Sequence, residues 1–80
     1  MTITIKLFAA YRELLGASEL SIAPRTGLTV ADLYREIVDD KASDGLRNST
    51  LFAINEAYVP PDTVVNDGDR VAFIPPVSGG

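Results

Sequence analysis

Apolar and polar residues alternate over Thr2-Ile3-Thr4-Ile5-Lys6-Leu7-Phe8, with Ile3, Ile5 and Leu7 on one face and Thr2, Thr4 and Lys6 on the other. A period of two marks a half-buried strand. Ala9-Ala10-Tyr11-Arg12-Glu13-Leu14-Leu15 then reads as a short helical turn, with Gly16 as its C-cap. Glu19-Leu20-Ser21-Ile22-Ala23 alternates again, ends at Pro24, and is predicted to fold back antiparallel on the first strand. Thr29 is a good helix N-cap, with Asp32 in the first turn. Val30, Leu33, Tyr34, Ile37 and Val38 follow at helical spacing, and Asp32, Glu36, Asp39 and Asp40 gather on the wet side. The apolar stripe is read as core packing against a sheet. The helix is predicted to fray between Lys41 and Gly45, and no motif falls between Lys41 and Ser49.

Leu51 to Asn55 is a third strand, which Glu56 to Val59 is expected to continue after a turn and bulge. Pro60-Pro61 bars a central strand there, since proline cannot donate to a ladder. Thr63 to Val65 fits either a short 3₁₀ turn or a loop. Asn66-Asp67-Gly68-Asp69 is a tight turn with Gly68 available for positive φ. Arg70 to Ile74 is the last strand, stopped by Pro75-Pro76. One main helix therefore covers one face of a small mixed sheet, an α+β arrangement. The first and last strands are the most apolar runs and are expected side by side, parallel and central. A β-grasp fold satisfies this with few connections. Residues 1–75 form the domain, and residues 76–80 form a flexible tail.

Composition narrows the chemistry. Eighty residues make one small domain, and 46% hydrophobic content supports a real core. With no Cys and no His, thiolate sites, zinc sites and nucleophilic triads are excluded by inventory, and no metal ligand set is expected. A net charge of −4 argues against nucleic acid or an anionic membrane as partner. It favours a protein partner with a basic docking surface. The alternating first residues do not resemble a signal peptide, and no run approaches a membrane span. A cytoplasmic protein is expected.

The sequence closes on Gly79-Gly80, after Phe73-Ile74-Pro75-Pro76-Val77-Ser78. Glycine has no Cβ and is free in φ and ψ, so such an end can thread a narrow site and present its last carbonyl carbon. Gly80 is expected to carry the reacting carbonyl and Gly79 to keep the approach narrow. In a chain without Cys, this carboxyl is the one place where transferable sulfur can be held covalently. Ser78 either bonds a partner backbone or keeps the tail soluble. Val77, Ile74, Pro75 and Pro76 are candidate partner contacts, with the prolines limiting the ordering entropy lost on binding.

Asn66 to Gly80 resembles the ending of the small subunits of molybdopterin synthase: an Asp-Gly-Asp turn, an apolar strand, Pro-Pro and a Val-Ser-Gly-Gly finish. Phe8 to Gly16 and Ala53 to Val59, with its central Asn55, are similar to the same family. The resemblance implies a ubiquitin-like β-grasp sulfur carrier, itself not an enzyme and binding no cofactor. It implies that a ubiquitin-activating-type adenylyltransferase consumes ATP to adenylate the terminal glycine. Sulfur then replaces one oxygen, and the thiocarboxylate tail enters the large synthase subunit and donates sulfur to the pterin precursor. It also implies a heterotetramer of two carriers with a dimeric large subunit.

Phe8 and Phe73 end or occupy the paired strands, and both core packing and partner docking suit each; the resemblance favours docking for Phe73. Rival readings are a carrier of this fold for thiamine, cysteine or tungsten-cofactor synthesis, and a ubiquitin-like protein modifier. A plain interaction domain with an inert tail is a third.

Overall fold

The structure, a computed structural model, describes residues 1–76. Its elements run β1 (Ile3–Leu7), α1 (Ala9–Leu15), β2 (Glu19–Ile22), α2 (Val30–Val38), α3 (Asp44–Ser49), β3 (Leu51–Ile54), β4 (Ala57–Val59) and β5 (Arg70–Ile74). The sheet order is β2-β1-β5-β3-β4. β1 and β5 are parallel, with Ile5 opposite Val71 and Leu7 opposite Phe73. The other neighbours are antiparallel. The expected α+β, β-grasp arrangement with paired first and last strands is what the chain adopts.

Alternation decides which side of the sheet is covered. Ile3, Ile5, Leu7, Val71 and Phe73 are buried together with Val30, Leu33, Tyr34 and Val38 of α2. Ile37, the remaining stripe residue, is partly buried against the same cluster. α2 starts in a capping box: the Thr29 hydroxyl accepts the Asp32 N–H at 3.1 Å, and the Asp32 carboxylate accepts the Thr29 N–H. Those bonds to Thr29, then that from Arg35, hold the Asp32 carboxyl below its usual range. α1 ends as expected on Gly16, at φ 69°.

Tyr11 of α1 is fully buried, and its hydroxyl lies 2.5 Å from both Tyr34 Oη and Thr50 Oγ1. Thr50 spends its only proton on the Leu46 carbonyl at 2.7 Å. The direction of the chain follows: Tyr34 donates to Tyr11, Tyr11 to Thr50, Thr50 to Leu46. Tyr11, Tyr34, Phe52 and Phe73 pack edge to face around this line, with centroids 5.1 to 6.0 Å apart.

Two local expectations change. Residues 44–49, within the stretch given no motif, form α3. Ser43 caps it by accepting the Leu46 N–H at 3.2 Å, and Arg47 binds the carbonyls of Asp39 and Ala42. Residues 57–59 do not prolong β3 through a bulge but turn back on it as β4. Asn55 and Glu56 sit at φ 51° and 71°, the two left-handed positions of a type I′ hairpin turn. Thr63 to Val65 is neither strand nor helix but forms one bridge, Val64 to Thr29.

Candidate functional site

The helices cover one side of the sheet, so the residues between the buried ones face away from them. On β1 these are Thr4 and Lys6; Phe8 continues the extended backbone one step further, at φ −121° and ψ 150°. On β5 they are Arg70, Ala72 and Ile74, and the register places Ala53 and Leu51 of β3 beside Ala72 and Ile74. Tyr58 of β4 stands opposite Ala53. Phe8 is 45% exposed, Leu51 54% and Tyr58 70%. A shallow groove of about 400 Å³ lies on this face, lined by Lys6, Phe8, Glu56, Tyr58, Arg70 and Ile74 among others. Exposed large apolar groups gathered on one face mark an interaction surface.

The expected docking residues divide on this geometry. Phe8 and Ile74 lie on the open face; Pro75 is half-buried and Pro76 is exposed. Phe73 does not. It is 0% exposed, because it falls one residue out of phase with Ala72 and Ile74 and so points into the helix side. Its role is core packing among Tyr11, Tyr34 and Phe52, which corrects the expectation that it docks a partner. Val77, Ser78, Gly79 and Gly80 lie outside the described residues.

Sequence reading missed Tyr58 and Leu51 as face residues, and left Arg70 open between a partner acid and a local pair with Asp69. The signal for Tyr58 was its place between Ala57 and Val59, which carries face information only once the Asn55-Glu56 turn makes a hairpin. For Leu51 and Arg70 the signal was register: Leu51 pairs with Ile74, and Arg70 with Thr4.

A polar clamp sets the far end of the face. Asn55 Oδ1 accepts the Arg70 N–H at 3.0 Å, and its Nδ2 donates to Asp69 at 3.0 Å. The other Asp69 oxygen accepts the Asn66 N–H at 2.8 Å, and Gly68 closes the turn at φ 86°. The turn of the β3–β4 hairpin is thereby tied to the start of β5. Near the groove, Lys6 pairs with Glu19 at 3.0 Å. Among the described residues, no cluster of three or more His, Cys, Asp or Glu is placed to hold a metal. No helix among them is long and apolar enough to cross a membrane.

Known proteins share this sequence and this architecture. The "Molybdopterin synthase sulfur carrier subunit" of Chlamydomonas reinhardtii is 37% identical over 83 aligned positions, covering 100% of both chains. The crystal structure of SAMP1 from Haloferax volcanii superposes with a TM-score of 0.77 at 25% identity, again over 100% of both chains. A complex of subunits 1 and 2 of the molybdopterin-converting factor from Helicobacter pylori contains a chain with the same fold, at TM-score 0.63, 22% identity and 100% coverage of each. The ThiS family model matches residues 5–80, so strands, clamp and C-terminal segment are matched together, and the chain belongs to the ThiS family.

Proposed function

We propose that this chain is the sulfur-carrying small subunit of a molybdopterin synthase, acting in the cytoplasm. The full-length likeness to a carrier of that name carries the reading. The apolar face beside the strand that leads into Pro75-Pro76 supports it, because a carrier must dock before its end can react. The Helicobacter pylori complex supports a large-subunit partner.

The chemistry assigned to the chain is that of a substrate. A free α-carboxylate, with a pKa of about 3.3–3.7, is ionised at neutral pH and resists nucleophilic attack. Adenylation by a ubiquitin-activating-type partner joins the Gly80 carboxylate to the α-phosphate of ATP and releases pyrophosphate. Attack by a partner's persulfide displaces AMP and leaves an acyl disulfide, which a second partner thiol cleaves to the thiocarboxylate and a disulfide on the partner; hydrosulfide would give the thiocarboxylate directly. Gly79, without a Cβ, lets the end enter a narrow channel. The chain has neither Cys nor His, so the general acid–base and persulfide groups fall to the partners.

The test is incubation with ATP, a sulfur donor and the adenylyltransferase, followed by intact mass. Exchange of one oxygen for sulfur is expected, and it disappears when Gly79 and Gly80 are removed. Unchanged mass with the full chain, or exchange on the truncated one, overturns the proposal. The likeness to SAMP1, a small archaeal modifier protein, favours a second reading in which the same carboxyl is joined to lysines. Branched adducts in the same mass spectrum identify that outcome.

A further inference from the structure

Arg70 opens β5 on the open face, opposite Thr4 of β1. Its side chain lines the groove with Phe8, Tyr58 and Ile74. Among the described residues its guanidinium makes no ion pair, whereas Lys6 beside it is held by Glu19. Its neighbour Asp69 is already committed, one oxygen to Asn55 and the other to Asn66. The charges on this face balance, Lys6 and Arg70 against Glu19 and Glu56, so the chain's net −4 resides on its other surfaces. An acidic protein thus presents, inside its apolar face, a guanidinium that no carboxylate pairs among the described residues.

A partner that covers this face strips water from the guanidinium. A desolvated cation without an anion destabilises a complex, whereas one met by a carboxylate is held by two parallel N–H···O bonds. We propose that Arg70 is a specificity-determining contact, and that the large synthase subunit places an acidic side chain against it on docking. This rests on the large subunit being the partner, as proposed above.

The experiment is calorimetric titration of the large subunit with the wild-type chain and with Arg70→Lys, Arg70→Met and Arg70→Glu. The fold is not at stake, because the bonds at this position are made by the Arg70 backbone, and circular dichroism checks it. Arg70→Met keeps the apolar stem and is expected to weaken Kd about 10-fold, and Arg70→Glu about 30-fold or more. Arg70→Lys should fall between wild type and Arg70→Met. A single acid-to-lysine change on the large subunit should restore binding to Arg70→Glu. Arg70→Met binding as tightly as wild type, or tighter, overturns the inference, since an unmatched cation is better removed. Failure of the wild-type chain to bind at all overturns the choice of partner instead.

Discussion

Asn55 bridges to Arg70, 15 residues away, with both side chain and main chain: its side-chain Oδ1 accepts the Arg70 N–H at 3.0 Å while its main-chain N–H donates to the Arg70 carbonyl at 2.8 Å. Asn55 does this from a left-handed backbone conformation, φ 51°. Asparagine tolerates that conformation better than most residues and has the amide to use it. Asn55→Gly keeps the backbone and loses the clamp; Asn55→Ala loses both. Urea unfolding should show a loss of about 1 kcal/mol for the glycine variant and about 2 kcal/mol for the alanine variant. Equal losses would mean that the conformation contributes nothing.

The two phenylalanines on either side of the sheet make opposite predictions. Phe73→Ala empties the middle of the aromatic cluster and should reduce stability by about 3–5 kcal/mol. Phe8→Ala and Tyr58→Ala trim exposed groups and should change stability by less than about 1 kcal/mol. The latter two should instead weaken binding to the large subunit in calorimetry. A stable Phe73→Ala with impaired docking would reverse the assignment of faces.

Tyr34 makes stability fall in alkali. Its phenol is pushed up, well above the ordinary tyrosine value, first by burial and then by the bond to Tyr11. The folded state therefore keeps its proton while the unfolded chain releases it above about pH 10. This contribution is complete below pH 10 and declines above it, by at most about 1.4 kcal/mol per pH unit. Urea midpoints measured between pH 8 and pH 11 should fall along this limb for wild type. They should fall less for Tyr34→Phe, which has no proton to lose there.

Asp39, the C-cap of α2, sits at φ 54° and ψ −129°, a region favoured by glycine. Relief of strain worth about 1–3 kcal/mol outweighs the roughly 0.5–1 kcal/mol of chain entropy that a glycine adds. Asp39→Gly should therefore raise stability by about 1 kcal/mol in thermal or urea unfolding. The bond from Arg47 is unaffected, because it goes to the main-chain carbonyl of residue 39.

The alternation in Ile3, Ile5 and Leu7, the Val30 to Val38 stripe and the caps at Thr29 and Gly16 were legible in the sequence because each is local. Pattern period and backbone chemistry act within a few residues, and they sufficed for β1, α1, β2, α2, β3 and β5, for the α+β class and for the parallel pairing of the most apolar strands, but not for α3 or for β4 as a hairpin partner. The candidate tail residues Gly79 and Gly80, and the exclusion of Cys and His chemistry, were likewise matters of inventory. Tertiary structure alone decided the side to which each residue belongs. A shift of one position turns a strand residue to the opposite face, so Phe73 went to the core while Ala72 and Ile74 stayed outside. The same rule, acting through the Asn55-Glu56 turn and the Leu51–Ile74 register, brought Tyr58, Leu51 and Arg70 from three strands, and Phe8 from the end of β1, onto one surface. No local pattern encodes that meeting, because strand pairing sets it across the whole length of the chain.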